Sequence, residues 1–360
     1  MKLQANIFKR DFTVIKYNPL DPKVISYSHK AVGGPSAAEL EVTGNKYKLM
    51  SVLNQLRAPV TITDDKSRVV WWGYISEVHV MSGSLDIGVS IDTMVNNIAV
   101  VYSSVVTGSQ EVGTRTTTAY AGNQISIDEY GYKELLESIS GATSAQAEMM
   151  RDILLDQKKY PVPTIKIIPG ESEEKAIIYC RGWWDTLLWK YYSNTGTSST
   201  VTTTQISDIV TSDGQFLTAT DIDTASGISS SEYRDGDSTA QAEILDLLRA
   251  GTSNDLRLVA RVTDERRLYV YQEALYTAFK YILKKDGSLI TKPGTKVEKH
   301  LCPVADWVRV QDVIDFDGSF LADPSYFFIE ESEYKAKTDT LKLLSRGVPN
   351  PFDVLRGLQL

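Results

Sequence analysis

Arg68-Val69-Val70-Trp71-Trp72-Gly73-Tyr74-Ile75-Ser76-Glu77-Val78-His79-Val80 is followed, across Ser82-Gly83-Ser84, by Leu85-Asp86-Ile87-Gly88-Val89-Ser90-Ile91. The first run is long, apolar and rich in β-branched and aromatic residues, which reads as a strand. The Ser-Gly-Ser break turns the chain, and the second run alternates apolar and polar residues at period two. Just upstream, Val60-Thr61-Ile62 alternates in the same way, with Asp64-Asp65-Lys66-Ser67 as the intervening turn. Three strands joined by short turns predict an antiparallel meander. Such a sheet needs cover on its apolar face. Asn45 to Leu56 supplies it by placing Leu49, Leu53 and Leu56 on one helical face, and Pro59 stops that helix. Glu39-Leu40-Glu41-Val42 reads as a further strand.

Beyond this module, Ser103 to Thr118 turns to Ser, Thr and Gly and reads as a loop or linker. A helical segment follows from about Tyr130 to Gln157, interrupted near Ser140-Gly141 and closed by Pro161 and Pro163. Thr164 to Ile168 is a strand that turns at Pro169-Gly170 and returns through Ala176 to Cys180. Ser193 to Thr204 is either a loop or an exposed strand pair. Leu256 to Val262 and Arg267 to Tyr271 read as strands across an Asp264-Glu265 turn. Tyr281-Ile282-Leu283 and Leu289-Ile290 flank the hairpin turn Lys285-Asp286-Gly287-Ser288. Tyr326 to Ile329 and Thr340 to Leu344 are strand-like, and Asn350-Pro351 opens a short terminal helix. The class is α+β and β-rich, with short helices as covers and linkers.

Two stretches echo one another: Thr143-Ser144-Ala145-Gln146-Ala147-Glu148-Met149 and Ser238-Thr239-Ala240-Gln241-Ala242-Glu243-Ile244. Each is a Ser/Thr pair suited to capping a helix, followed by helix formers and an apolar run. Asp92-Thr93-Met94 before Tyr102-Ser103 and Asp185-Thr186-Leu187 before Tyr192-Ser193 repeat at nearly the same offset. Trp71-Trp72-Gly73 against Gly182-Trp183-Trp184 does not share it. These echoes point to two related modules in one chain, an organisation that suits an assembly component.

The 360 residues suffice for two or three domains, and 42% hydrophobic with 23% charged residues is the balance of a folded globular chain. A formal charge of −8 argues against sequence-independent nucleic-acid binding, which needs a basic face. No run has the length of a signal-peptide core or a membrane span. Cys180 and Cys302 lie far apart without metal-type spacing, so a reduced, cytoplasmically synthesised chain without a metal or cofactor is expected. The three histidines, His29, His79 and His300, are scattered, and no G-x-S-x-G, H-E-x-x-H, P-loop or G-x-G-x-x-G motif occurs. Glu330-Glu331 and Asp264-Glu265 read as solvated turn or strand-end pairs, and Asp315-Phe316-Asp317-Gly318 as a turn in place of a calcium loop. No enzyme is expected.

Six tryptophans stand out, four of them in two adjacent pairs. Neighbours on a strand point to opposite faces, so Trp71 and Trp72 cannot both fill one core. One member of each pair either packs beneath a loop or helix of the same chain or lies at a boundary or subunit interface, where tryptophan is enriched. Trp71, Trp72, Trp183 and Trp184 are therefore candidate interface residues.

Three segments together resemble the tail hub, or baseplate hub, proteins of tailed bacteriophages. The first is Lys46-Tyr47-Lys48-Leu49 through Pro59-Val60-Thr61-Ile62 to Trp71-Trp72-Gly73-Tyr74-Ile75; the second is Cys180-Arg181-Gly182-Trp183-Trp184-Asp185-Thr186-Leu187. The third runs from Cys302-Pro303 through Asp306-Trp307-Val308 to Phe328-Ile329-Glu330-Glu331-Ser332-Glu333-Tyr334. The resemblance implies two tail-tube-like antiparallel β-barrel or sandwich modules with short flanking helices. One would span 1–110 and the other 164–360, with a Ser/Thr-rich and helical insertion at 193–250 and a helical linker at 111–163. It also implies a virion tail component, most simply a homotrimer, that meets tail tube, distal tail and tail-tip or fibre proteins and lets DNA pass through a lumen without binding it. Membrane insertion is not implied. Asp64, Asp65, Asp264 and Glu265 are candidate lumen-facing acids, or else solvated turn residues on the outside. The alternatives are a cell-wall or polysaccharide hydrolase, which needs acids converging in an aromatic groove, and a glycan-binding tail protein with tryptophans in an open pocket.

Overall fold

The computed structural model describes residues 2–15, 20–105, 112–168, 174–222, 227–252, 258–272, 280–283, 289–291, 313–316, 326–338 and 340–345. Three strands open the chain: β1 (Gln4–Ile7), β2 (Lys23–Lys30) and β3 (Gly34–Thr43). Helix α1 (Lys46–Val52) follows, capped by the Asn45 side chain, which accepts from the Lys48 N–H, and runs into a 3-10 turn at Leu53–Gln55. Then come β4 (Pro59–Thr63), β5 (Val69–Ser82) and β6 (Leu85–Ser90), paired antiparallel in sequence as the meander requires. Leu49 and Leu56 are buried as the helical face predicts.

The next stretch is more extended than its sequence indicates. β7 (Asn97–Val105), β8 (Val112–Thr117), β9 (Ala121–Gly122) and β10 (Glu134–Ser140) make a four-stranded sheet, with α2 (Gln124–Tyr130) between β9 and β10. Ser103 to Thr118 is therefore largely a strand pair, because threonine suits a pleated, half-exposed surface as well as a loop. Glu134-Leu135-Leu136-Glu137-Ser138-Ile139-Ser140, expected as helix, instead pairs in parallel with β7. Helix α3 (Ser144–Lys158) starts at the Thr143 cap.

The largest departure concerns β11 (Thr164–Ile167) and β12 (Lys175–Arg181). They do not pair with each other as a hairpin. β11 pairs antiparallel with β6, and β12 lies between β3 and β5, antiparallel to both. Residues 164–181 thus complete the sheet begun by the first ninety residues and do not start a separate one at residue 164. Each pattern, alternating in β11 and continuously apolar in β12, fits many partners, and strand identity alone does not select one.

The 3-10 turn Trp183–Leu188 leads to β13 (Tyr191–Asn194), β14 (Ser199–Val201), α4 (Thr202–Asp213), β15 (Ala219–Ile222), β16 (Ser229–Ser231), β17 (Arg234–Thr239) and α5 (Ala240–Ala250). β18 (Leu258–Val262) and β19 (Arg267–Gln272) form the expected hairpin, and β15 adds in parallel to β19. β20 (Lys280–Leu283), β21 (Leu289–Thr291), β22 (Val313–Phe316), β23 (Tyr326–Lys335) and β24 (Thr340–Ser345) close the series. Through β23, which pairs with β2, these strands return to the main sheet, whose thirteen described strands run from Gln4 to Ser345 and curl into a half-barrel. The β-rich α+β class is what the chain adopts. Cys302, Trp307, His300, the Lys285–Ser288 turn, Asp317-Gly318 and the terminal helix at Asn350-Pro351 lie outside the described residues.

Candidate assembly surface

All four tryptophans singled out from sequence are inside the chain. Trp71 is 0% and Trp72 2% exposed, so both faces of β5 are covered. Trp72 donates its indole N–H to the Val262 carbonyl at 3.2 Å, which places the β18–β19 hairpin over its face. Trp183 packs among Phe12, Tyr74 and Phe216, with ring centroids 5.2–5.5 Å apart. Trp184 lies against Gly33, where φ is +98° and a Cβ would come within 2.9 Å of the indole. The interface assignment of Trp71, Trp72, Trp183 and Trp184 is therefore corrected. Trp71 and Trp72 point to opposite faces of β5, and the second face is covered by elements of the same chain.

The acidic candidates divide. Asp64 is buried, accepts from the backbone N–H groups of Lys66 and Arg68, and pairs with the Arg68 guanidinium at 2.6 Å. Burial alone would raise its carboxyl, but the hydrogen bonds from Arg68 and Lys66 outweigh that and hold it below the ordinary range. It braces its own turn. Asp65, Asp264 and Glu265 are exposed turn residues.

What the sequence reading missed is where apolar surface remains open. Across the main sheet, Val42, Ala176, Val80, Ile87 and Ile165 are directly opposed on successive strands. Opposed residues share a face, so this is one continuous row. Val42, Ala176 and Val80 are buried, whereas Ile87 is half-buried and Ile165 is 63% exposed. One register further, Ile167 is opposed to Leu85, and these are 79% and 38% exposed. Helix α1, with Leu49 and Val52 buried beneath it, packs on β5 and β12. The cover thus ends before the sheet does. Among the described residues β11 pairs only with β6, so its outer edge also presents unpaired backbone groups.

A second open face lies on α3. Its cap is well built: Thr143 accepts from the Gln146 N–H, and the Gln146 side chain accepts in turn from the Thr143 N–H. Yet only Ala147 is buried. Met149 is 66% and Ile153 46% exposed, one turn apart on a groove flanked by Glu148, Asp152 and Asp156. Helix α5, which begins with the same Ala-Gln-Ala-Glu motif under a Thr239 cap, instead buries Ile244, Leu247 and Leu248. The echo in sequence is real at the level of helix starts, and the two helices use it in opposite environments.

No family model matches the chain, and no curated protein is similar to it by sequence. Among solved structures, it is similar to the prophage tail protein gp18 from Listeria monocytogenes at 9% identity. That match covers 99% of this chain and 98% of the other, with a TM-score of 0.44. It is also similar to the 43 kDa tail protein of prophage MuSo2 from Shewanella oneidensis (9% identity, 96% and 95% covered, TM-score 0.43). A third likeness is to the E. coli c3393 protein, a type VI secretion component with structural similarity to T4 tail proteins gp27 and gp5. There the identity is 7%, with 96% of this chain and 77% of that one covered and a TM-score of 0.43. These neighbours are tail or tail-like proteins. Likeness at this level says nothing about which surface does what, and that has to come from the chain's own geometry.

Proposed function

We propose that this protein is a structural component of a phage-type tail, a hub that packs with copies of itself into a closed ring, most simply a trimer, between tail tube and tail tip. The observation that carries the reading is the uncovered end of the main sheet, where Ile165, Ile167 and Leu85 extend a buried apolar row into solvent beside a free strand edge. An isolated chain gains nothing by leaving such a surface open, and it is a hazard for uncontrolled edge-to-edge association. Closure by a neighbouring copy removes both the exposed apolar area and the unpaired edge. The acid-flanked face of α3 provides a second contact for the same or another tail protein.

On this reading the work is mechanical: the ring adapts tube to tip and leaves a passage for DNA. A chain with a net charge of −8 favours passage over retention, because phosphate binding grows with the number of Lys and Arg contacts. Asp65, Asp264 and Glu265 are the exposed acids available to line such a passage, and Asp64 is not. The test is the effect of Ile165→Ser with Ile167→Ser on solution mass. Loss of the oligomer with an unchanged monomer fold supports the reading, and an unchanged oligomer refutes it.

A further inference from the structure

Three arginines, Arg10, Arg57 and Arg266, lie close enough for their charges to interact, and in Arg57 two buried N–H groups have no acceptor. Arg57 follows the 3-10 turn Leu53–Gln55, and its backbone N–H bonds the Ile75 carbonyl at 2.7 Å. Its side chain lies between the rings of Phe12 and Phe216, with the guanidinium carbon 5.8 and 5.1 Å from their centroids. Arg57 is only 5% exposed, and its Nε and Nη1 have no hydrogen-bond acceptor. Arg266 stacks on the same Phe12 ring, its guanidinium 3.6 Å from the centroid, and donates from Nη1 to the Phe216 carbonyl at 3.2 Å. Arg10 donates to the carbonyls of Leu56 and Asn54 and pairs with Glu129.

The carboxylates nearby are already used. Glu129 is taken by Arg10, and Asp11 is an exposed acceptor for the Thr13 N–H and hydroxyl. Burial, together with repulsion from Arg10 and Arg266 and against a smaller attraction to Asp11, lowers the Arg57 guanidinium to about 10. The aromatic faces offset part of the cost of burying this cation, but they do not supply acceptors for its N–H groups. The backbone shows a second anomaly at the same place. Of the five described non-glycine residues with positive φ, three are Phe12 (+66°), Arg57 (+64°) and Arg266 (+61°). Left-handed backbone at bulky residues is costly and gathers where a structure is organised to hold something.

We infer that Arg10, Arg57 and Arg266 form a binding site for an oxyanion, a phosphate or carboxylate group. Arg10, Phe12 and Arg266 are only partly buried, so the anion is placed against them and beside the buried Arg57 guanidinium. The inference is independent of the assembly reading, since none of these residues lies on β11 or α3.

The test uses the full chain and follows thermal unfolding in sodium phosphate, sodium acetate and sodium chloride at matched ionic strength and pH 7. A saturable rise in Tm with phosphate or acetate, beyond that in chloride, is expected. Phosphate alone identifies a phosphate-type site; an equal response to acetate identifies a carboxylate-type one. Phosphate also stabilises folded proteins without binding, so the variants decide. Arg57→Met should abolish the saturable part, and Arg266→Gln should shift its midpoint at least severalfold to higher anion. Arg249→Gln, on an exposed helix end, should leave it unchanged. If Arg57→Met does not fold, Arg266→Gln and calorimetric titration of the wild-type chain with phosphate and with acetate decide the question. A wild-type chain with no saturable response to either anion overturns the inference, and so does an unaltered response in the arginine variants.

Discussion

Replacing Trp72 with alanine separates a tryptophan buried inside one chain from one buried between chains. Trp72 is 2% exposed, its indole N–H donates to the Val262 carbonyl at 3.2 Å, and its ring lies 6.2 Å from that of His29. Truncation removes the apolar contacts, opens a cavity between β5 and the β18–β19 hairpin, and leaves a buried carbonyl without its donor. Such a change costs about 3–5 kcal/mol in a core that does not collapse. The orphaned carbonyl contributes roughly 1 kcal/mol or more of the loss. Against a typical total of about 5–15 kcal/mol, this is a large share of the stability. Urea unfolding followed by tryptophan fluorescence and circular dichroism should show a lower midpoint than wild type at each protein concentration, with a difference that stays the same when concentration is varied tenfold. A variant that keeps its midpoint but dissociates on dilution would refute the placement of Trp72 within the chain.

Other substitutions report on single features. Ile165→Ser with Ile167→Ser should leave the unfolding free energy of the monomer within about 0.5 kcal/mol of wild type, since both side chains are exposed there. The same change should weaken self-association measured by sedimentation on the order of tenfold or more, because each buried isoleucine contributes about 1.5–3 kcal/mol. Asp64→Asn should lower stability near pH 7 by roughly 1–3 kcal/mol, as Arg68 loses its buried charged partner. The Asp64 carboxyl is held below its unfolded value, so its contribution is complete above about pH 4 and is lost as pH falls through the lower folded value. The acid limb of the wild-type stability profile should therefore be steeper than that of the variant. Thr239→Ala and Thr143→Ala each remove a cap worth about 0.5–2 kcal/mol. The first should lower global stability because α5 is buried, whereas the second should mainly raise hydrogen exchange within α3.

Local features were well marked in the sequence. The β4–β5–β6 meander, the leucine face of α1 and both threonine-capped helices follow from period, turn chemistry and capping, which act over a few residues. The insertion of β12 between β3 and β5 was not readable, because Ala176-Ile177-Ile178-Tyr179-Cys180 fits the interior of any sheet. The tryptophan pairs misled for a related reason: sequence shows that Trp71 and Trp72 point apart, but not that Val262, 190 residues later, covers the second face. Asp64 carried a signal that favoured its observed role, since a first aspartate in Asp-Asp-Lys-Ser is well placed to accept from the turn's own backbone. The open surface of β11 was visible in part as Thr164-Ile165-Lys166-Ile167. Its exposure becomes evident only once α1 is seen to pack on β5 and β12.

The central claim is that the apolar end of the main sheet is covered by a neighbouring copy. Imaging the purified full-length protein down the axis of its assembled form, together with its solution mass over a hundredfold range of concentration, tests this most directly. The account predicts a closed ring, a trimer in its simplest form, with Ile165 and Ile167 at the contact between copies. A chain that stays monomeric throughout that range, or a ring in which β11 faces solvent, would contradict it.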